Sequence, residues 1–162
     1  MRVCAFCNRA LGPGWDTTCD RCTDWGPNVD PTAVIGRPPE HRDHPKHQPG
    51  IKPNLHPDAQ IEALCTVDSG LKQATTIGAS WLMKGVHVGH DAVIGDGCEI
   101  APHSSVGGHA VLGNNVRVGQ GAFFKPFVKI GDGARIGVGA VVIHDVPAGR
   151  VYAGNPAHDL HP

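Results

Sequence analysis

The sequence predicts an all-β chain: a parallel coil of very short strands, with a small metal-stapled module in front of it. Three observations carry that reading. From Val88 every sixth residue is apolar without a break, through Ile94, Ile100, Val106, Leu112, Val118, Phe124, Ile130, Ile136 and Val142. Four positions after each of these stands a small or β-branched residue, as at Ala92, Cys98, Ser104, Ala110, Val116 and Ala122. Four of the six cysteines are paired, as Cys4-x2-Cys7 and Cys19-x2-Cys22.

A strict period of six fits neither an α-helix, with its period near 3.6, nor an alternating strand, with its period of two. It fits a stacked coil. If each hexapeptide is one flat strand and a tight corner, three of them close a triangular turn of eighteen residues, and the inward residues stack into one continuous core. Glycine follows the apolar residue directly at Gly89, Gly95, Gly107, Gly113, Gly119, Gly131 and Gly137. The expected reason is that a corner needs positive φ, which glycine adopts cheaply.

Taken in order, residues 1–26 read as a zinc ribbon. Each Cys-x2-Cys knuckle offers two thiolates on one turn, and Cys4, Cys7, Cys19 and Cys22 together make a tetrahedral Zn²⁺ site. Four thiolates leave no open coordination position, so the zinc is expected to be structural, and a module of this size would owe most of its stability to the metal. Its expected task is to cap the open end of the coil or to dock a protein. Residues 27–60 hold eight of the fourteen prolines, and are read as a first coil, with Val29, Ala33 and Ile35 in one short strand, followed by a polar loop. Of the histidines in this stretch, His41, His44, His47 and His56, the irregular spacing and the prolines favour a solvated loop over a metal site. From 61 to 162 the six-residue register runs to the end, restarting at Ile61 and Val67 and slipping by one residue near Trp81-Leu82-Met83.

Composition narrows the function classes. A formal net charge of -1 gives no global field that would draw the chain to nucleic acid. No apolar stretch is long enough to span a bilayer, and Met1-Arg2-Val3-Cys4 is not a signal peptide, so a cytoplasmic protein without a membrane partner is expected.

The chemistry is expected at the corner histidines. With eighteen residues per turn, one column reads His90, Gly108, Pro126, His144, and His109 stands beside Gly108. His90 is followed by Asp91, and Gly108 has no side chain to block a reactant. A base titrating near neutrality, a carboxylate able to fix its tautomer, and a backbone N–H facing a developing oxyanion are the parts acyl transfer requires. Adjacency alone does not pair His90 with Asp91; the carboxylate could come from another chain.

The run Trp81-Leu82-Met83-Lys84-Gly85-Val86-His87-Val88-Gly89-His90-Asp91, followed by Val106-Gly107-Gly108-His109, resembles the UDP-N-acetylglucosamine O-acyltransferases of the hexapeptide-repeat superfamily. Nucleotide-sugar N-acetyltransferases look similar at His90-Asp91, and the ending Asp145-Val146-Pro147-Ala148-Gly149 is shared by the superfamily widely. The resemblance implies a left-handed parallel β-helix, whereas parallel crossovers are ordinarily right-handed. It also implies His90 as general base, Asp91 as its orienting partner, Gly108 N–H as oxyanion donor, and His87 and His109 in the substrate cleft. Lys125 stands where those enzymes usually carry another cleft histidine. Val138 falls near a position where a glycine in the long-chain enzymes leaves room for the acyl tail, and the bulkier valine implies a short group such as acetyl. The resemblance further implies a homotrimer with active sites between subunits, acyl-CoA or acyl carrier protein as donor, and a small, nucleotide-linked sugar as acceptor. Two other readings stand beside it. One is a trimeric scaffold that binds a partner through the ribbon. The other is a γ-type carbonic anhydrase, which needs two histidines five apart on one coil, a spacing the repeat lacks.

Overall fold

A computed structural model describes residues 28–37 and 50–160. The ribbon cysteines Cys4, Cys7, Cys19 and Cys22, and the loop histidines His41, His44 and His47, lie outside the described residues.

The described chain is all-β and winds as a left-handed parallel β-helix with three faces. The first face stacks Val34–Arg37, Thr66–Asp68, His87–Val88, Ser105–Val106, Phe123–Phe124 and Val141–Val142. Asn54–Leu55, Thr76–Ile77, Val93–Ile94, Val111–Leu112 and Lys129–Ile130 form the second. The third runs from Gln60–Ile61 through Trp81–Leu82, Glu99–Ile100, Arg117–Val118 and Arg135–Ile136 to Val151–Ala153, and ends on the antiparallel strand His158–Asp159. Over the regular part the register is eighteen residues: Val88 pairs with Val106, Val106 with Phe124, and Phe124 with Val142.

Two-residue strands suffice because each contributes one inward apolar side chain, and the coils above and below complete its hydrogen bonds. Val88, Ile94, Ile100, Val106 and Leu112 are all buried. Burying one such side chain contributes about 1.5–3 kcal/mol. The residues four positions later, among them Ala92, Cys98, Ser104, Ala110 and Val116, are buried and fill the inside of the corners.

Several expectations need correction. Val29, Ala33 and Ile35 do not share a strand: Val29 bridges Ile61 on the third face, and Ile35 pairs with Val67 on the first. The one-residue slip is real and falls in the corner between Ile77 and Trp81, where the Ser80 hydroxyl accepts the Cys98 N–H and donates to the Gly95 carbonyl.

The glycines after the apolar residues serve a different purpose from the expected one. Positive φ occurs at a later corner position and recurs every six residues, at Asp91, Gly97, His103, His109, Asn115, Gly121, Phe127, Gly133 and Gly139. Gly89, Gly95, Gly107 and Gly119 are instead places where the next coil passes too close for a side chain. A Cβ on Gly119 would lie 2.6 Å from Val138 N, and one on Gly107 would lie 2.6 Å from the Phe124 carbonyl oxygen. Among the described residues, no helix is long and apolar enough to cross a membrane.

Candidate active site

The corner that joins the first face to the second gathers the predicted chemistry. On one coil it holds His90 and Asp91, on the next Gly108 and His109, and on the one after that Lys125, Pro126 and Phe127.

The coil preceding His90 departs from the repeat. Ten residues separate Val67 from Ile77 where six would be regular, and the excess makes a wider corner over residues 69–75. That corner cradles Asp91. The Asp91 carboxylate, with none of its side chain exposed, accepts the N–H groups of Leu71 at 3.0 Å, Lys72 at 2.6 Å and Gln73 at 2.7 Å. Its own N–H donates to Thr75 Oγ1, and its carbonyl accepts from the Gln73 side chain. Burial alone would push this carboxyl up. The hydrogen bonds from Gln73, His90, Leu71 and Lys72 outweigh it and hold the carboxyl down at about 2. Asp91 is an anion throughout the physiological range.

His90 Nδ1 lies 2.7 Å from Asp91 Oδ2. A carboxylate accepts only, so Nδ1 carries the proton and the lone pair sits on Nε2. The Nε2 edge faces Gly108, where an added Cβ would come within 2.9 Å of it. Gly108 is buried, and its N–H meets no acceptor among the described residues. Buried N–H groups without a partner are rare in folded proteins.

His109 lies beside this pair, with Nε2 at 3.7 Å from Asp91 Oδ2 and its ring edge-on to His90 at 5.1 Å. Its other face stacks on Phe127 at 4.5 Å. His87 is half-buried on the neighbouring strand and shares a 2.8 Å hydrogen bond with Thr66 Oγ1. Lys125 is exposed two coils above His90 on the same corner. Val138, 76% exposed, sits on the corner between the third and first faces, away from His90 within its own chain. The geometry thus brings His90, Asp91, Gly108 and His109 together, sets His87 on the strand leading into this corner, adds Lys125 at the margin, and leaves Val138 apart.

A metal is a weaker use of the same cluster. His90, Asp91 and His109 offer ligand atoms within 4.8 Å of one another. Asp91, however, already accepts four hydrogen bonds, which use the lone-pair sites a carboxylate has. The arrangement is built to orient an imidazole.

Sequence reasoning missed Leu71, Lys72, Gln73 and Thr75 as the Asp91 cradle, and Phe127 as the shelf under His109. The four-residue excess between Val67 and Ile77 was the readable signal for the first; positive φ at Phe127 leaves none in a single sequence.

Comparison with known proteins agrees with this architecture. Residues 75–108 and 109–144 match the model of the bacterial transferase hexapeptide (six repeats). Over 129 residues the chain is 32% identical to the acyl-[acyl-carrier-protein]--UDP-N-acetylglucosamine O-acyltransferase of Paraburkholderia phymatum, a match covering 77% of this chain and 48% of that protein. The crystal structure of UDP-N-acetylglucosamine O-acyltransferase from Moraxella catarrhalis superposes with a TM-score of 0.74 at 32% identity, over 78% of this chain and 50% of that one. PerB from Caulobacter crescentus, solved in complex with CoA and GDP-perosamine, gives a TM-score of 0.65 at 26% identity, over 81% and 55% of the two chains. The chain spans less than half the length of the first curated relatives it matches.

Proposed function

We propose that this chain, whose coil carries the bacterial transferase hexapeptide repeat, moves a short acyl group from a thioester to a hydroxyl or amine of a sugar. The observation that carries the reading is the alignment of buried Asp91, His90 and the unpartnered Gly108 N–H on one corner. His90 Nε2 takes the proton of the acceptor O–H or N–H as that heteroatom bonds to the thioester carbonyl carbon. The carbonyl oxygen becomes an oxyanion facing the Gly108 N–H. When the tetrahedral species collapses, the C=O re-forms, the C–S bond breaks, and the thiolate leaves with the proton from the His90 imidazolium. The products are an ester or amide and a free thiol. Asp91 holds the productive tautomer and stabilises the imidazolium.

The donor is an acyl thioester of CoA or of acyl carrier protein. Both carriers fit the relatives' names, since the Paraburkholderia protein is named for acyl carrier protein and PerB was solved with CoA. The acceptor is a nucleotide-linked sugar, with His87 and His109 lining the cleft and Lys125 meeting a phosphate. The assembly is a homotrimer. Outward residues on the faces that flank the His90 corner are largely uncharged, including Val34, Thr66, Ser105, Phe123 and Val141 on the first and Thr76, Val93 and Val111 on the second. The third face instead presents Glu99, Arg117 and Arg135, with Arg117 paired to Glu99. Burying the two apolar faces against neighbours sets the His90 corner at a subunit boundary, the one way Val138 of a neighbour could border the same cleft. The ribbon, with a structural Zn²⁺ on Cys4, Cys7, Cys19 and Cys22, caps the coil or docks a protein.

The test is thiol release from acetyl-CoA and from an acetylated carrier protein with a panel of nucleotide sugars. His90→Ala should lose at least a hundredfold in turnover while size-exclusion chromatography shows an unchanged assembly. A variant with near-normal rates would remove His90 from the mechanism.

A further inference from the structure

The second-to-third corner shows one way this coil satisfies the N–H that Gly108 leaves bare. Residues 96, 114 and 132 occupy there the hexapeptide position that His90, Gly108 and Pro126 occupy at the candidate site, two residues after the buried apolar one. Each acidic or amide side chain caps the backbone N–H one coil below. Asp96 Oδ1 accepts from Ala79 N at 2.8 Å, Asn114 Oδ1 from Asp96 N at 2.9 Å, and Asp132 Oδ1 from Asn114 N at 2.7 Å. The ladder is a local solution to unsatisfied corner amides, and it needs only a short side-chain oxygen in each rung.

At the candidate site the rung above Gly108 is Pro126. Its ring has no hydrogen-bonding atom, and its nitrogen lies where a Cβ on Gly107 would come within 2.7 Å. We propose that Pro126 is a positioning residue, acting through Gly108: it withholds the cap that an aspartate or asparagine supplies at the equivalent position of the second-to-third corner, and so keeps the Gly108 N–H available to the developing oxyanion. The inference rests on the reading of Gly108 as the oxyanion donor and adds the residue that secures it. Proline suits the task better than another capless residue. Its fixed φ holds the rung in place, so the amide below stays aimed without a competing acceptor.

Three variants test this: Pro126→Asn, Pro126→Asp and Pro126→Ala, each assayed for kcat, KM and thermal midpoint. Asparagine and aspartate recreate the rung seen at Asn114 and Asp132. Capping an oxyanion donor removes an interaction made only in the transition state, so kcat should fall about 10²–10³-fold with KM changed less than threefold. The thermal midpoint should hold or rise, because a bare buried N–H has gained an acceptor. Pro126→Ala should keep kcat within about threefold of the parent, with a slightly lower midpoint from lost chain stiffness. A purely structural role for Pro126 would move alanine and asparagine alike, and that result overturns the proposal. So does full turnover by Pro126→Asn, or its failure to fold, since the equivalence with Asn114 requires that an asparagine be accommodated. Should the parent protein transfer no acyl group to any acceptor, the functional reading falls. Should the parent turn over normally and Pro126→Asn equally well, only this inference falls.

Discussion

Replacing Asp91 with asparagine separates the two roles the structure gives its carboxylate. The group is fully buried, takes three backbone N–H bonds from the 69–75 corner, and fixes His90 through a fourth. Its pKa lies at about 2 against an ordinary 3.8, and nearly two units of preference for the charged form correspond to about 2 kcal/mol of folding stability at neutral pH. The sign follows from a depressed carboxyl: this stability is fully present above pH 4 and is lost as pH falls from there towards 2. Asparagine keeps the shape but turns an N–H₂ towards donors on one side, so Asp91→Asn should be destabilised by about 2–3 kcal/mol at pH 7. Its amide can also donate to His90 Nδ1, which would move the ring proton to Nε2 and disable the base. Turnover should then fall by about 10³–10⁴-fold, as expected when an orienting carboxylate is replaced and the wrong tautomer is fixed. The assays are urea unfolding between pH 3 and pH 7 and thiol release at pH 7. Parent and variant should converge in stability towards the acid end. Parallel acid profiles, or a variant keeping a third of the parent's turnover, would refute the account of Asp91.

Two further outcomes test the coil and the ribbon. Gly121→Ala places a β-carbon at φ 66° with nothing within 4 Å and should cost about 1 kcal/mol, whereas Gly119→Ala puts one 2.6 Å from Val138 N and should cost about 3 kcal/mol; equal losses in urea midpoints would dissolve the distinction between the two classes of corner glycine. Purified protein should carry about one zinc per chain by elemental analysis, lost in Cys4→Ser with turnover retained, and zinc that survives that change would return weight to the His90, Asp91 and His109 cluster as a metal site.

The fold was readable in the sequence because its rule is local: one inward residue every six positions, with a small residue inside each corner, leaves a trace that needs no knowledge of distant contacts. Ile94, Ile100 and Val106 announce their own burial in this way. The candidate site was half readable. His90 and Gly108 fall on one column by counting eighteens, with Asp91 and His109 on the next, but the cradle around Asp91 depends on a corner that breaks the count, and no periodicity names Leu71, Lys72 and Gln73 as its donors. The glycines show a subtler limit. Gly89 directly follows an inward residue and Gly97 stands two positions further on in its hexapeptide, yet periodicity alone does not say that the first sits beneath a passing backbone and the second takes positive φ.

The backbone itself argues against a coil that only stacks. At the left-handed corner position, the second-to-third corner uses Gly97, Asn115, Gly133 and Gly149, and the third-to-first corner uses Leu64, Gly85, His103, Gly121 and Gly139. The corner of the candidate site uses Asp91, His109 and Phe127, with no glycine among them. A side chain in that conformation costs roughly 1 kcal/mol relative to glycine, so this corner carries about 3 kcal/mol against about 2 kcal/mol at the third-to-first corner and about 1 kcal/mol at the second-to-third. For Phe127, bulky and 68% exposed, burial returns little of it. What the three side chains do share is one chain of contacts, from the Asp91 carboxylate through His90 and His109 to the Phe127 ring. This is the one corner among the described residues with no glycine at that position, and its three side chains join the oriented imidazole and the unpartnered amide in one place, which fits the chemistry proposed for it.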